Sequence, residues 1–380
     1  MKIAFFYSLI IRGGVETALR NLLQRLTVLD ADIYVVYTNA KSDPEMLREI
    51  SQYAKVVTEL PYADIVVECS IFEWSDIMAG HRIHWIHGNA QEHGVTWKSR
   101  INADKYISVS EEAKRQFGRG EVLLNELDDR IYDLADEPIE WNYSGLRLVT
   151  VSRVSQLKGF ERMPALCREL EAQSIDYEWI VVGGAFYQGY MDQVKKDLKH
   201  HNVRFIGQKP NPYPYLKAAD FCVQLSDMES FGLSTMEGQV LGTPSIITDY
   251  TVANETLQGH ALILDKDMGN VSDIVSQIKQ GIRPKTRTYK GDADKWIELL
   301  QGIEVEHDMI VEVIKRYYDV ELNKKMMPGA KFECTPKRAK QLMNVKHNDN
   351  TIQVVRIIEQ ATQKRIQEGT VEKRKAVRSR

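Results

Sequence analysis

The stretch Ser226–Pro244, SDMESFGLSTMEGQVLGTP, sets one acid, Glu229, ahead of a Phe-Gly turn and a second, Glu237, eight positions further on. Leu233, Met236, Val240 and Leu241 recur at helical spacing, so a loop at Glu229 should feed a helix that starts near Gly232. A helix N-terminus offers unpaired amides and a partial positive charge, which suits a phosphate. Glu237 would lie about one and a half turns inside that helix, placed to accept hydrogen bonds from a ligand's hydroxyls. Either glutamate alone would read as a solvated acid beside a core helix. Together they read as the two flanks of a sugar nucleotide. Phe221–Leu225 and Ser245–Thr248 are strand-like on either side, which completes a βαβ unit.

Upstream, Leu146–Val151 is an apolar strand running into Ser152-Arg153-Val154-Ser155-Gln156-Leu157-Lys158-Gly159, with a helix expected over Glu161–Ala172. Arg153 and Lys158 follow the strand's end and can reach a ligand held at the sheet's edge. Trp179–Val182 ends in Gly183-Gly184, and Val203–Ile206 is followed by Gly207. Alternating prolines at Pro210, Pro212 and Pro214 rule out a further strand and predict a rigid loop before a short helix.

From Met1 to about Trp141 short apolar runs again alternate with helical stretches: Ile3–Tyr7, Ile33–Tyr37, Ile65–Val67, Ile83–Ile86 and Tyr106–Val109 as strands, Glu16–Leu26 as a helix. This predicts a parallel sheet covered by helices, with functional loops at the strands' carboxyl ends. Two such loops carry chemistry. Gly13 and Gly14 form a strand-to-helix turn. His84 and His87, three apart on a strand, should face opposite ways, so a shared metal site is not expected. His87, at the strand's carboxyl end, is the one expected at the cleft. Ser110 reads as a helix N-cap, and Trp85 and Trp97 read as core residues.

Glu, seven residues, Glu, with Phe-Gly-Leu after the first acid and Gly-Thr-Pro closing the segment, resembles the signature of family 4 of the retaining glycosyltransferases. That resemblance implies a GT-B fold: two Rossmann-like doubly wound domains facing across a cleft. It assigns Glu229 to the donor sugar, Glu237 to the ribose, and the backbone of Phe231, Gly232 and Leu233 to the diphosphate. The Arg, four residues, Lys-Gly pattern at Arg153 and Lys158 resembles the family's phosphate-binding pair, and His87 its histidine beside the sugar. Gly13 and Gly14 resemble the loop that closes over the donor, and Gly207 lies near the nucleotide base. The Leu124-Asn125-Glu126 stretch resembles the link between domains. The implied reaction moves a sugar with retention from a nucleoside-diphosphate sugar, most simply a UDP-sugar, to an acceptor that the sequence does not identify, such as an envelope glycan, lipid or polymer. Three alternatives stand beside it: a catalytically silent partner subunit, a sugar-nucleotide epimerase and a nucleic-acid glucosyltransferase.

Length agrees with this organisation, since 380 residues exceed one ordinary core. The expected units are 1–142 on the acceptor side, 143–303 for the nucleotide sugar, and a basic helical or partly disordered extension over 304–380. A hydrophobic fraction of 43% and a net charge of -3 describe a soluble globular chain and give no sign of a nucleic-acid binder. Cys69, Cys167, Cys222 and Cys334 are too scattered for a zinc site or a disulfide framework and read as thiols in a reducing compartment. No metal and no cofactor are expected. Lys2 followed by apolar Ile3–Ile11 lacks a small-residue cleavage site and reads as a first strand. A cytoplasmic protein, peripheral at a membrane at most, is the expectation. From Lys324 onward 15 Lys and Arg face 5 Asp and Glu. Thr351–Gly369 has amphipathic helical spacing, and such a tail would suit an anionic lipid surface or anionic polymer. Oligomerisation is left open.

Overall fold

A computed structural model of the chain describes residues 1–69, 74–88 and 103–303, together with short strands between residues 309 and 360. Seven strands form a first sheet: β1 (Lys2–Phe6), β2 (Asp32–Val36), β3 (Lys55–Val57), β4 (Tyr62–Glu68), β5 (Met78–Ile86), β6 (Lys105–Ser108) and β7 (Glu121–Val122). Their order is 3-2-1-4-5-6-7 and every pairing is parallel. A second sheet holds β8 (Leu146–Val151), β9 (Tyr177–Val182), β10 (Val203–Gly207), β11 (Phe221–Gln224), β12 (Ser245–Thr248) and β13 (Ala261–Leu264). It too is wholly parallel, in the order 10-9-8-11-12-13. Parallel strands are covered on both faces, which is why these segments are apolar runs without alternation. Ile3, Ala4 and Phe5, and likewise Ile180 and Val181, are fully buried.

In each sheet the strand order reverses beside its first strand, between β1 and β4 and between β8 and β11. The loops leaving a pair of strands at such a point diverge to opposite faces and open a crevice. The residues following β1, β8 and β11 therefore include Gly13, Arg153 and Glu229.

The chain crosses between the sheets twice, and the crossings are tied together. The amide of Leu124 donates to Asp292 Oδ2 at 2.8 Å, and that of Ala293 donates to Glu126 Oε1 at 2.7 Å. Beyond the second crossing, the helix Ala293–Gln301 packs into the first sheet's core: Trp296 is buried and meets Trp85 edge to face, ring centroids 5.2 Å apart. Conversely, Ile131, Ala135 and Trp141 pack with Val149 and Ile180 of the second sheet. Each of these apolar stripes, just before the expected boundaries at 142 and 303, is thus buried against the sheet of the other half of the chain. A third tie joins Glu255 of the second domain to the helix Glu111–Phe117 of the first, whose Glu111 and Glu112 amides it accepts at 2.8 and 3.2 Å. Ser110 caps the same helix through Ala113, as its position predicts.

The extension differs from expectation. Where Thr351–Gly369 reads as an amphipathic helix, the described residues Asn350–Ile352 and Val355–Gln360 are strands, the latter antiparallel to Met309–Val313. Their β-branched content favours extended backbone over helix. Residues 361–380, which hold the densest basic run, lie outside the described residues, as does Trp97. Trp85 is in the core as expected.

Trp296→Ala should cost about 3–5 kcal/mol, the range for removing a buried aromatic side chain. Urea unfolding followed by tryptophan fluorescence and circular dichroism checks this, and an unchanged midpoint would show that the returning helix does not complete the first core.

Candidate active site

Between the two sheets lies a cleft of about 640 Å³ lined from both domains. It receives His87, Gly13 and Gly14 from the first domain and Arg153, Lys158, Glu229 and Glu237 from the second, along with Phe231, Gly232 and Leu233. Of the candidate site residues Gly207 is the one outside the lining; its neighbour Gln208 is in it.

Glu229 is held by its own strand and loop. Its Oε1 accepts from Ser226 Oγ at 2.7 Å and Gln224 Nε2 at 3.2 Å, and the ammonium of Lys158 reaches the same oxygen at 2.6 Å. One carboxylate oxygen is thus saturated by three donors. The other has no partner among the described residues. A short 3-10 turn, Gln156–Lys158, delivers the lysine to this position.

The helix after the Phe-Gly turn is Leu233–Val240, entered through Gly232, whose φ of +83° is a left-handed conformation that favours glycine. Its first amides border the cleft. Phe231 and Met236 belong to the first domain's core cluster, whereas Val240 packs in the second. The helix thus lies between the domains and has two apolar flanks, Leu233 and Met236 on one and Val240 on the other.

Glu237 sits inside that helix, 4% exposed, and accepts from the hydroxyl of Tyr213 at 3.4 Å. Burial pushes its carboxyl up to about 7, against the opposing pull of Arg20. Tyr213 in turn is reached at 3.5 Å by Nη2 of Arg20, a buried residue of the first helix. The guanidinium also pairs with Asp128 at 3.0 Å and Glu49 at 2.9 Å. Neither Arg20 nor Tyr213 was singled out in the sequence. The available signal was an arginine on the apolar stripe of Leu19, Leu22 and Leu23.

Arg153 lies over the ring of Phe186 at 4.0 Å and beside the Gly13 turn. A Cβ added to Gly13 would come within 3.0 Å of its Nη2 and 2.8 Å of Glu16 Oε2. The glycine therefore lets the two domains approach. Glu16 is 2% exposed, accepts the Ile11 amide at 3.2 Å, and is pushed up to about 7 by burial, with Arg153 pulling the other way. His87 is buried against Trp85, ring centroids 4.0 Å apart, and burial, reinforced by nearby His84, lowers it to about 3. It is therefore a neutral imidazole at ordinary pH. Its Nε2 has no partner among the described residues. His84 turns instead toward Trp74, Tyr106 and Phe117, so the two histidines diverge as expected.

Among the described residues no group of three His, Cys, Asp or Glu side chains is placed to hold a metal ion, and no helix is long and apolar enough to cross a membrane. Cys69, Cys167 and Cys222 are buried free thiols.

A carboxyl whose folded value is raised contributes stability that is present below about pH 4.5 and is lost as pH rises through about 7. Glu16→Gln removes this dependence while keeping an acceptor for Ile11. Its melting temperature should exceed that of the parent at about pH 8 and match it near pH 5. Differential scanning fluorimetry at both pH values checks this; coincident curves throughout would show that Glu16 ionises as freely folded as unfolded.

Residues 136–290 match the family model described as glycosyl transferases group 1. A curated relative, the N-acetyl-alpha-D-glucosaminyl L-malate synthase of Bacillus anthracis, is 23% identical over 195 residues, which cover 50% of this chain and 46% of that protein. The match thus spans about half of the relative's length. The solved structure of HepE from Anabaena in complex with UDP and glucose superposes with a TM-score of 0.61 at 17% identity, covering 80% of this chain and 95% of that one. A glycosyltransferase from Rickettsia africae gives 0.55 at 13% identity, covering 73% and 87%. Residues 136–290 are thus similar to glycosyl transferases group 1, within a molecule of GT-B fold.

Proposed function

We propose that the protein is a retaining glycosyltransferase that moves a sugar from a nucleoside-diphosphate sugar to an acceptor bound on the first domain's side of the cleft. The observation that carries this reading is the Lys158–Glu229 pair, at 2.6 Å, in one cleft with Arg153, Glu237 and the start of the helix Leu233–Val240. A departing diphosphate gains negative charge as the glycosidic bond breaks. Fixed cations and helix amides at that point stabilise the transition state more than the ground state. Arg153 and Lys158 have this role, with the amides of Gly232 and Leu233. Glu229, once Lys158 turns to phosphate, offers a carboxylate to the sugar's hydroxyls. Neutral His87 can donate or accept a hydrogen bond there. Glu237 takes the ribose hydroxyls.

The reaction is a front-face displacement through an oxocarbenium-like state, in which the leaving phosphate accepts the acceptor's proton. Closure of Gly13 and Gly14 over the donor excludes water. HepE, solved with UDP and glucose, supports a uridine donor. The sugar and the acceptor are for experiment to name. The four residues that would meet phosphate, sugar and ribose argue against a silent subunit, and an epimerase would consume donor with no acceptor present.

A panel of UDP-, GDP-, ADP- and TDP-sugars tests the reading by thermal shift and slow nucleotide release. One donor should stabilise the protein, and Arg153→Ala and Glu237→Ala should each weaken it at least about 10-fold, the scale of a lost hydrogen bond to a charged group. Once an acceptor is found, the anomeric proton coupling of the product should report retention. Inversion, or no response to any donor, would overturn the reading.

A further inference from the structure

The cleft's two domains share one chain of polar contacts that phosphate and sugar chemistry do not use. Arg20, on the first domain's helix Gly14–Leu26, is 7% exposed. A buried guanidinium is tolerable only when its charge and donors are answered. Here Glu49 and Asp128 answer the charge, and Asn21 Oδ1 accepts from Nη2 at 2.9 Å. The remaining contact leaves the first domain altogether: Nη2 to the Tyr213 hydroxyl at 3.5 Å, and from that hydroxyl to Glu237 Oε1 at 3.4 Å. All three residues line the cleft.

We propose that Arg20 and Tyr213 are positioning residues for the donor's ribose: they relay a hydrogen bond from the first domain to Glu237, so the grip of that carboxylate on a vicinal diol depends on the two domains being together. The inference rests on the reading of Glu237 given above. Tyr213 has one hydroxyl proton and can donate it to one acceptor. The Arg20 contact supplies the hydroxyl oxygen with a donor and so frees its own proton for Glu237. With that proton in place the carboxylate is oriented and keeps its second oxygen for the ligand. If the domains part, Arg20 withdraws with its helix and Tyr213 loses the partner that fixes its hydroxyl.

The charge balance explains why the relay is needed. Glu49 also has Arg12 at 2.6 Å and Asp128 has Arg130 at 3.3 Å, but the cation acting on Glu237 is Arg20, and its pull is opposed there by Asp128. Cys222 on β11 also faces Glu237 and is itself buried. An acid in that company is reluctant to ionise, and burial adds to the reluctance. A protonated Glu237 offers a donor where a diol needs acceptors. The relay, together with the arriving hydroxyls, favours the ionised form, so binding near neutral pH should release a proton.

The test compares UDP, or whichever diphosphate the donor panel selects, with its 2′-deoxy analogue on the full chain by calorimetry. Wild type, Tyr213→Phe, Arg20→Lys and Glu237→Ala are measured at about pH 6 and about pH 8, either side of the Glu237 value. Arg20→Lys retains a cation for Asp128 and Glu49, and Tyr213→Phe leaves the ion pairs untouched, so a folded protein is available in each case. Expected is a 5- to 10-fold loss of affinity, roughly one hydrogen bond, for the ribonucleotide with Tyr213→Phe. The 2′-deoxy analogue should bind this variant and wild type alike. The pH profile of ribonucleotide binding should move upward, and kcat at saturating donor should stay near the wild-type value while KM rises. A merely structural role would weaken both nucleotides equally and leave the pH profile in place; that result overturns the inference. If Glu237→Ala loses the preference for the ribonucleotide while Tyr213→Phe and Arg20→Lys keep it, the relay fails and the ribose assignment survives. If Glu237→Ala keeps the preference, the ribose assignment itself fails and the relay with it.

Discussion

Two carboxylates hold this architecture in register. Asp292 and Glu126 each accept a backbone amide from the other interdomain crossing, so the two strands of chain that pass between the sheets form a single stapled hinge. The tie makes one joint of two linkers and, with Glu255 on the helix Glu111–Phe117 and Trp296 in the first core, keeps the crevices at the switch points facing each other. Each carboxylate caps backbone that would otherwise be unpaired at the edge of a core. The return of the helix Ala293–Gln301 to the first core starts from this tie.

The cleft inherits its electrostatics from this arrangement. Its lining holds the cations Arg153 and Lys158 and the buried acid Glu237, pushed up to about 7 by burial; Glu16, raised likewise, lies behind the lining beside Gly13 and Arg153. Lys158 is neutralised by Glu229. An anion entering beside these cations has to compete with a carboxylate already in place, and its charge is what can release Glu229 to bind something else. Binding and unmasking are then the same event.

The sheets were legible in the sequence because buried parallel strands are short, mostly apolar segments, with Leu148 and Val149 or Ile246 and Ile247 at their centres. The convergence of Arg153, Lys158, Glu229 and Glu237 was legible because loops after parallel strands share one edge, and the resemblance to a known signature placed them in order. Arg20 was not legible. Its partners Asp128 and Tyr213 lie more than a hundred residues away, and an isolated arginine on an apolar stripe reads as a snorkelling side chain. Nor could periodicity show that the helix Ala293–Gln301 belongs to the first core, since an amphipathic stripe states that it must be buried and not where. The strands after residue 309 were missed for a related reason: 3.6-residue spacing in Thr351–Gly369 was present, but tertiary pairing overrides it in the residues described.

Trp296 against Trp85 has a consequence for the order in which the molecule is made. The first core contains Ile3 and Phe5 ahead of the second sheet in the chain and Trp296 and Leu300 after it. A ribosome delivers these pieces in sequence, so the whole second sheet emerges before the first core can be completed. The first-made domain is thus the last to be finished, and throughout that interval the surface of Trp85 awaiting Trp296 is open to other apolar chains. A chaperone that shields this surface would improve the yield of folded protein without touching the cleft.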